Sequence, residues 1–387
     1  MENRLIKSNN ICPIIILPSY EKYEDRALML SKIVEILGVG KIHFHNRPQR
    51  LPLSFSHIAS YPNKNRSIYK WKVTLLTVIN WMKIEKTDNK IIHDLFAPRG
   101  ILLRRSKNTK KILSLYSDTA NYYFGKRYKS DLIHKKLKNK ISTHLLYIKR
   151  SVYEYIGIKL ADGIIVNSPD IIDGIKKYYK IENKKFAVIN TCVDTNFWNI
   201  TGIERDKKLI FFAGRLCKRK GLDILFESYK VLVKRIPNLK LVIAGKETDE
   251  EDFSWGKEYI INNNLNVRFL GELNREDMRY WYNRSSILVL PSSQEGSPRV
   301  IKEAMACGCP VICTDLPGTR ILDSEGSFLI FFPANDVLEL TNKITNLICE
   351  YKIKSESLRE FALKNFSPEI IANKNIQFYN ELFKQEK

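Results

Sequence analysis

The sequence predicts an α/β protein of two doubly wound, parallel-sheet domains facing each other across a cleft. Three observations predict it. The chain has 387 residues, 44% of them apolar, which is more than one compact core uses and enough for two. Short β-rich runs alternate with amphipathic helical patterns along the whole length, as in successive βα units. A polar stretch, 195–208, carries no sustained periodicity and separates two such alternating blocks.

The first block offers strand candidates at 14–18, 41–45, 90–94, 111–116, 163–167 and 186–193. Between them lie helical patterns such as 25–37, with apolar Leu28, Leu30, Ile33, Val34 and Leu37 on one face, and 68–82. The second block repeats the alternation, with strands at 209–213, 239–244, 267–270, 287–291, 311–314 and 328–332 and helices at 222–235, 275–285 and 298–307. The expected domains are therefore 1–195 and 196–366, followed by a C-terminal segment, 367–387. In open parallel sheets ligands sit outside the carboxyl ends of the strands, so the loops after strands are where chemistry is sought.

Formal charge is +22, and its placement is uneven. Residues 1–150 hold 30 Lys and Arg against 10 Asp and Glu, whereas residues 151–387 hold 34 against 32. Two readings stay open: the first domain faces an anionic partner, a membrane surface or an acidic acceptor, or its lysines are generic solubilisers in an Ile-, Lys- and Asn-rich composition. Arg104, Arg105, Lys107, Lys110, Lys111, Lys126, Arg127, Lys129, Lys135, Lys136, Lys138 and Lys140, interleaved with Tyr122, Tyr123, Phe124 and Tyr128, are expected to share this surface. No apolar stretch approaches the ~18 residues of a membrane-spanning helix, and the N-terminus reads as a first buried strand rather than a signal peptide. A cytoplasmic protein, peripheral on the inner membrane face, is expected. Seven cysteines, an odd number, argue for reduced thiols. Cys307, Cys309 and Cys313 match no zinc spacing and are expected to be small buried packing residues.

Three segments of the second block carry candidate chemistry. Gly214-Arg215-Leu216-Cys217-Lys218-Arg219-Lys220-Gly221 follows one strand and precedes a helix. Arg215 and Lys220, beside the unpaired N–H groups of a helix N-terminus, make a receptor for a diphosphate and would neutralise charge on a departing nucleotide. The segment is not a Walker loop, since G-x-x-x-x-G-K-[ST] is absent. Glu295-Gly296-Ser297-Pro298-Arg299-Val300-Ile301-Lys302-Glu303-Ala304 follows another strand, with Ser297 expected as N-cap and Pro298 as first helical residue. Glu295 then sits on the loop and Glu303 on the helix. Carboxylates accept paired hydrogen bonds from vicinal hydroxyls, so the two acids suit a sugar–phosphate–ribose ligand, and Lys220 and Glu303 are expected to contact only that ligand. Leu270, where the run Phe269-Leu270-Gly271 breaks into a loop, is a further donor-site candidate through main-chain groups.

These segments, with "LVIAG", "VRFLGEL" and "CGCPVICTDLPGTR", resemble the C-terminal domain of family-4 retaining glycosyltransferases of the GT-B fold, built of two Rossmann-like domains. The resemblance covers roughly 209–332 and is carried by the spacing of Arg215 to Lys220 and of Glu295 to Glu303. It implies that Arg215 and Lys220 hold the donor diphosphate, that Glu295 binds sugar hydroxyls and that Glu303 binds the nucleotide ribose. Gly214, Gly296, Ser297, Pro298 and Arg299 would complete the donor site, Pro298 standing where many members have glycine. "ADGIIVNSPDIIDGI", with Asn167 and Ser168, and "VINTCVDTNFW" resemble the end of the N-terminal domain, and the resemblance implies that Pro368–Phe383 crosses back as a helix onto that domain. Two departures fall on the acceptor side. Pro18 to Asp25 contains no glycine where many members have a glycine-rich loop, and no histidine follows the strand that ends at Tyr116. His93, Ser117 and Asp118 are the acceptor-side candidates, His93 reading either as a site residue or as a satisfied structural histidine.

The sequence thus predicts a retaining glycosyltransferase that moves a sugar from a nucleotide-diphosphate donor to a glycan or lipid-linked acceptor, in surface polysaccharide or lipopolysaccharide synthesis. The expectation includes no cofactor, no essential metal and no nucleic-acid partner. Two rivals are weighed: a same-fold epimerase or phosphorylase, and a polyanion-binding protein, which leaves Glu295 and Glu303 unexplained and shows no base-reading motif.

Overall fold

The structure is a computed structural model that describes residues 11–17, 24–38, 41–44, 58–60, 89–95, 109–116, 137–247, 253–350 and 354–384. The chain divides into two compact units, Met1–Cys192 with Pro368–Lys387, and Val193–Ser367.

The first unit is built on a parallel sheet of β1 (Ile11–Leu17), β2 (Lys41–Phe44), β3 (Ile58–Ser60), β4 (Asn89–Leu95), β5 (Thr109–Leu115), β6 (Gly163–Val166) and β7 (Lys185–Val188). Their order is β3-β2-β1-β4-β5-β6-β7. Parallel strands inside such a sheet are covered on both faces, and β5 is buried along its whole length. That burial corrects the expectation for Lys110 and Lys111, which lie in this strand and not on a basic surface. Lys110 runs its stem along apolar surface, its Nζ standing 5.9 Å from the centre of the Phe383 ring.

Helix α1 (Glu24–Leu37) buries Met29, Leu30, Ile33 and Leu37. Helices α2 (Leu137–Leu160) and α3 (Pro169–Tyr179) flank β6 in sequence, α3 opening with Ser168 at its N-cap and Pro169 at its first position. The C-terminal helix, here designated α11 (Pro368–Phe383), packs Phe378, Tyr379 and Leu382 into the core of this unit beside α1. Gly163 opens β6 where a Cβ would stand 2.8 Å from the Phe378 ring. The crossing back of 368–383 onto the first unit is therefore present.

The second unit has β8 (Asp206–Ala213), β9 (Lys240–Ala244), β10 (Val267–Gly271), β11 (Ser285–Leu290), β12 (Val311–Thr314) and β13 (Leu329–Phe332), all parallel, in the order β10-β9-β8-β11-β12-β13. Around it lie α4 (Leu222–Arg235), α5 (Ser254–Asn262), α6 (Arg275–Arg284), α7 (Arg299–Ala306), α8 (Pro317–Arg320), α9 (Val337–Cys349) and α10 (Ser355–Phe366). Phe211, Phe212, Tyr229 and Tyr282 anchor one continuous core. Cys307, Cys309 and Cys313 are buried in it as free thiols, and desolvation pushes each thiol pKa up, away from the reactive thiolate.

The unit boundary falls at 192/193 rather than at 195/196. Its cause is hydrogen bonding: the Val193 N–H donates to the Phe366 carbonyl at 2.9 Å, and Arg359 donates to the carbonyls of Trp198 at 2.9 Å and Thr195 at 3.2 Å. The expected helix at 68–82 lies outside the described residues, as do most of the basic positions between 101 and 136.

Candidate functional site

Strand order in the second unit reverses between β8 and β11, and the loops after these two strands carry the predicted donor residues. Backbone and side chains lace the loops together. Lys218–Lys220 forms a single 3-10 turn after β8, and Gly221 then enters α4 at φ +71°. A Cβ there would stand 2.0 Å from the carbonyl of Pro291, so only glycine allows the loop after β11 to come this close. Ser293 donates from its backbone N–H to the carbonyl of Arg219 at 3.0 Å. Lys220 Nζ meets Glu295 Oε1 at 2.5 Å, both side chains mostly shielded from water.

The loop after β12 closes on the same place. Gly318, in α8, lies so near that a Cβ would be 2.1 Å from the Glu295 carbonyl and 2.4 Å from that of Gly296. Thr319 Oγ1 fixes this turn by donating to the Thr314 carbonyl at 2.6 Å. The backbone that presents Glu295 is thus held from two neighbouring strand ends.

Glu303 is buried on α7, and its carboxylate already has protein partners. Tyr282 on α6 donates its hydroxyl to Oε2 at 3.0 Å, and an Arg299 guanidinium nitrogen stands 3.4 Å from Oε1. Burial, then the Glu303 charge, raises the Tyr282 pKa well above the ordinary phenol value, so the hydroxyl stays a donor. Lys220 and Glu303 therefore do more than await a ligand, contrary to expectation. Each is oriented by a side chain distant in sequence.

Helix α7 begins at Arg299 with Pro298 as its N-cap, one residue later than expected. The Ser297 hydroxyl accepts from Lys302 Nζ at 3.1 Å. Lys302 is fully buried, a position beside the candidate site that the sequence did not single out. Only its setting, a lysine between Ile301 and Glu303 on a helix otherwise buried there, would have hinted at it. Arg215 is exposed on the loop after β8, Gly214 directly follows that strand with its N–H on the Ala244 carbonyl, and Leu270 lies near the end of β10. Arg215, Lys220, Arg299 and Lys302 thus stand on loops and a helix after neighbouring strands, with Glu295 and Glu303 among them. Such an array attracts an anionic ligand and offers carboxylate oxygens to hydroxyls.

The acceptor-side candidates are not brought to this place. His93 is in the interior of the first unit, fully buried on β4. Its Nδ1 is 2.7 Å from the Tyr379 hydroxyl and its Nε2 2.6 Å from Ser114 Oγ, so both nitrogens are engaged. Desolvation lowers its pKa to about 3, which keeps it neutral. This is a structural histidine pinning α11 to β4 and β5, the second of its two readings from the sequence and not the acceptor-site one. Ser117 and Asp118 lie outside the described residues. Among the described residues no cluster of His, Cys, Asp and Glu has the arrangement to hold a metal ion.

Two parallel-sheet units, the second with cations and carboxylates on the loops at its strand-order reversal, define a doubly wound α/β protein with a candidate ligand site at that reversal. Residues 194–365 match the family described as glycosyl transferases group 1. An uncharacterised glycosyltransferase of Methanocaldococcus jannaschii is 32% identical over 174 residues, 44% of either chain. The capsular polysaccharide biosynthesis glycosyltransferase CapM of Staphylococcus aureus is 27% identical over 215 residues, 53% of each. The chain thus spans about half the length of these curated relatives, whereas a second uncharacterised M. jannaschii glycosyltransferase matches at 26% identity over 92% of this chain and 98% of its own. Solved structures give the fold of the whole: sucrose-phosphate synthase of Thermosynechococcus elongatus, TM-score 0.69 at 18% identity, covers 96% of this chain and 99% of its own. HepE of Anabaena in complex with UDP has a TM-score of 0.66 at 16% identity over 96% and 100%. The fold is that of the GT-B glycosyltransferases.

Proposed function

We propose that the protein is a retaining glycosyltransferase that moves a sugar from a nucleoside-diphosphate sugar to a glycan or lipid-linked acceptor in the synthesis of surface polysaccharide. The observation that carries this reading is the Lys220–Glu295 pair at 2.5 Å, laced between the loops after β8 and β11 with Glu303 held close in sequence on α7. Lys220 and Arg215 face the donor diphosphate and stabilise the charge that grows on it as the glycosidic bond breaks. Glu295, oriented by Lys220, accepts hydrogen bonds from the sugar hydroxyls, and Glu303, oriented by Tyr282 and Arg299, accepts them from the ribose. The departing diphosphate oxygen takes the acceptor proton from the same face, so the anomeric configuration is kept and no protein base is required. The cations supply the neutralisation that a metal ion would otherwise give, and transfer is proposed to be metal-independent. The relative from S. aureus, named for capsular polysaccharide biosynthesis, supports the pathway class. The basic first domain favours an acceptor at an anionic membrane surface, on its cytoplasmic face. Among the described residues no helix is long and apolar enough to cross a membrane.

The test is a transfer assay over a panel of nucleoside-diphosphate sugars and lipid-linked or oligosaccharide acceptors. Nucleoside diphosphate released only when acceptor is present, with a product of unchanged anomeric configuration by NMR, is the expected result. Release of free sugar phosphate, or interconversion of the donor without acceptor, contradicts it.

A further inference from the structure

Helix α2 (Leu137–Leu160) presents an outward face that the donor site does not use. Leu145, Val152 and Leu160 are 61%, 51% and 46% exposed, and Ile148, Tyr153, Tyr155 and Ile156 are exposed with them. At 100° per residue, Leu145, Ile148, Val152, Ile156 and Leu160 fall within an arc of about 120°, and they extend over roughly 22 Å of the helix. The opposite side, with Ser151, Glu154 and Ile158, is buried against the first unit. Lys149 and Lys159 fall within the aliphatic arc, and both are exposed. Their ammonium groups lie 5.9 Å from the Tyr153 ring and 5.7 Å from the Tyr155 ring, respectively. Glu154 is the one acid in the helix sequence, and it is withdrawn from this face, its Oε1 accepting from the Tyr179 hydroxyl at 3.1 Å.

We propose that this face of α2 lies in the interface of an anionic lipid bilayer, its aliphatic stripe entering the headgroup–acyl boundary and Lys149 and Lys159 reaching the lipid phosphates. The proposal deepens the membrane-surface part of the reading above by naming the element and the contact. Charge complementarity selects the occupant. An apolar stripe threaded with lysines, edged by tyrosines and free of exposed acids matches a boundary that is apolar below and negatively charged above. A second copy of this chain seated by a two-fold axis would bring lysine against lysine along the same stripe. The helix lies on the membrane and does not span it, since no described helix meets the requirement for crossing.

The experiment is vesicle flotation of the full chain with phosphatidylcholine vesicles and with mixed phosphatidylglycerol–phosphatidylcholine vesicles, at low and high salt, paired with sedimentation velocity. The wild type is expected to float with the anionic vesicles and stay behind with neutral ones. Replacing Lys149 and Lys159 by Gln is expected to weaken partitioning about thirtyfold at low salt, a difference that shrinks at high salt. Val152→Ser with Ile156→Ser is expected to weaken it at least about tenfold at either salt, since burial of apolar area is not screened. These positions are exposed and outside the donor site, so nucleotide binding stays at the wild-type level and serves as the control for folding. A wild type that ignores anionic vesicles overturns the proposal, as does a Val152→Ser, Ile156→Ser protein that floats like the wild type. A dimer that the serine substitutions split, with vesicle binding unchanged, assigns the face to a second copy and overturns it equally. Loss of vesicle binding with donor binding intact separates this surface from the donor-site reading, which fails only on nucleotide binding.

Discussion

Lys220 and Glu303 illustrate why charge alone does not define the site. Each is held by a partner on another element, Glu295 and Tyr282 respectively, so the ligand-facing atoms are set before a ligand arrives. Lys220→Ala is expected to lower kcat by about 10²–10³, the typical cost of one charge-stabilising group. Glu303→Gln keeps an oxygen for the Tyr282 hydroxyl and is expected to raise the donor KM with the fold intact; steady-state kinetics with circular dichroism checks both. Glu303→Ala is the poorer probe, because it leaves the buried Tyr282 hydroxyl without its acceptor. His93 yields a pH prediction. Its folded pKa is depressed to about 3, below the unfolded value, so its neutral form gives stability that is present above the unfolded pKa and lost as pH falls toward the folded one. At pH 5 the loss is roughly 2 kcal/mol relative to neutral pH. Denaturant unfolding of wild type and His93→Gln at both pH values checks it, the variant losing that much less on acidification.

At the level of elements, the strands of the second unit were legible because continuous apolar runs bounded by glycine and proline have few other readings. The runs 222–235 and 311–314 coincide with α4 (Leu222–Arg235) and β12 (Val311–Thr314) to the residue. Less legible was what tertiary contact decides. Ser297 has the chemistry of an N-cap, yet α7 starts one residue later, and the Ser297 hydroxyl accepts from Lys302. Tyr282 pairs with Glu303 across 21 residues and two elements, a relation no periodicity encodes. His93 reads from the sequence as either a site residue or a structural one, and the return of α11 over β4 decides for the structural role. Gly318 is a further case: the structure makes it a seat for the loop that bears Glu295. Gly318→Ala is expected to displace that loop, because a Cβ would stand 2.1 Å from the Glu295 carbonyl. The predicted outcome is a donor affinity lowered at least about tenfold, on the scale of overpacking at about 1–3 kcal/mol. Calorimetric titration with the donor reads it, and unchanged affinity would show the loop to be compliant.

For the whole molecule, the second unit carries the residues proposed to bind the donor, and residues 1–150 hold most of the excess positive charge. Chelators are expected to leave transfer rates unchanged, and a strict requirement for Mn²⁺ or Mg²⁺ would contradict the role given to Arg215 and Lys220. The central claim is that the strand ends around β8 and β11 bind a nucleoside diphosphate. The most direct measurement is isothermal titration of UDP and other nucleoside diphosphates into the full chain and into its Lys220→Ala variant, without added metal. The account predicts saturable binding of at least one nucleotide by the wild type, weakened by about 2.7–4 kcal/mol in the variant if the binding loss matches the loss of one charge-stabilising group. Binding that Lys220→Ala leaves untouched, or no binding by the wild type to any nucleoside diphosphate, would contradict it.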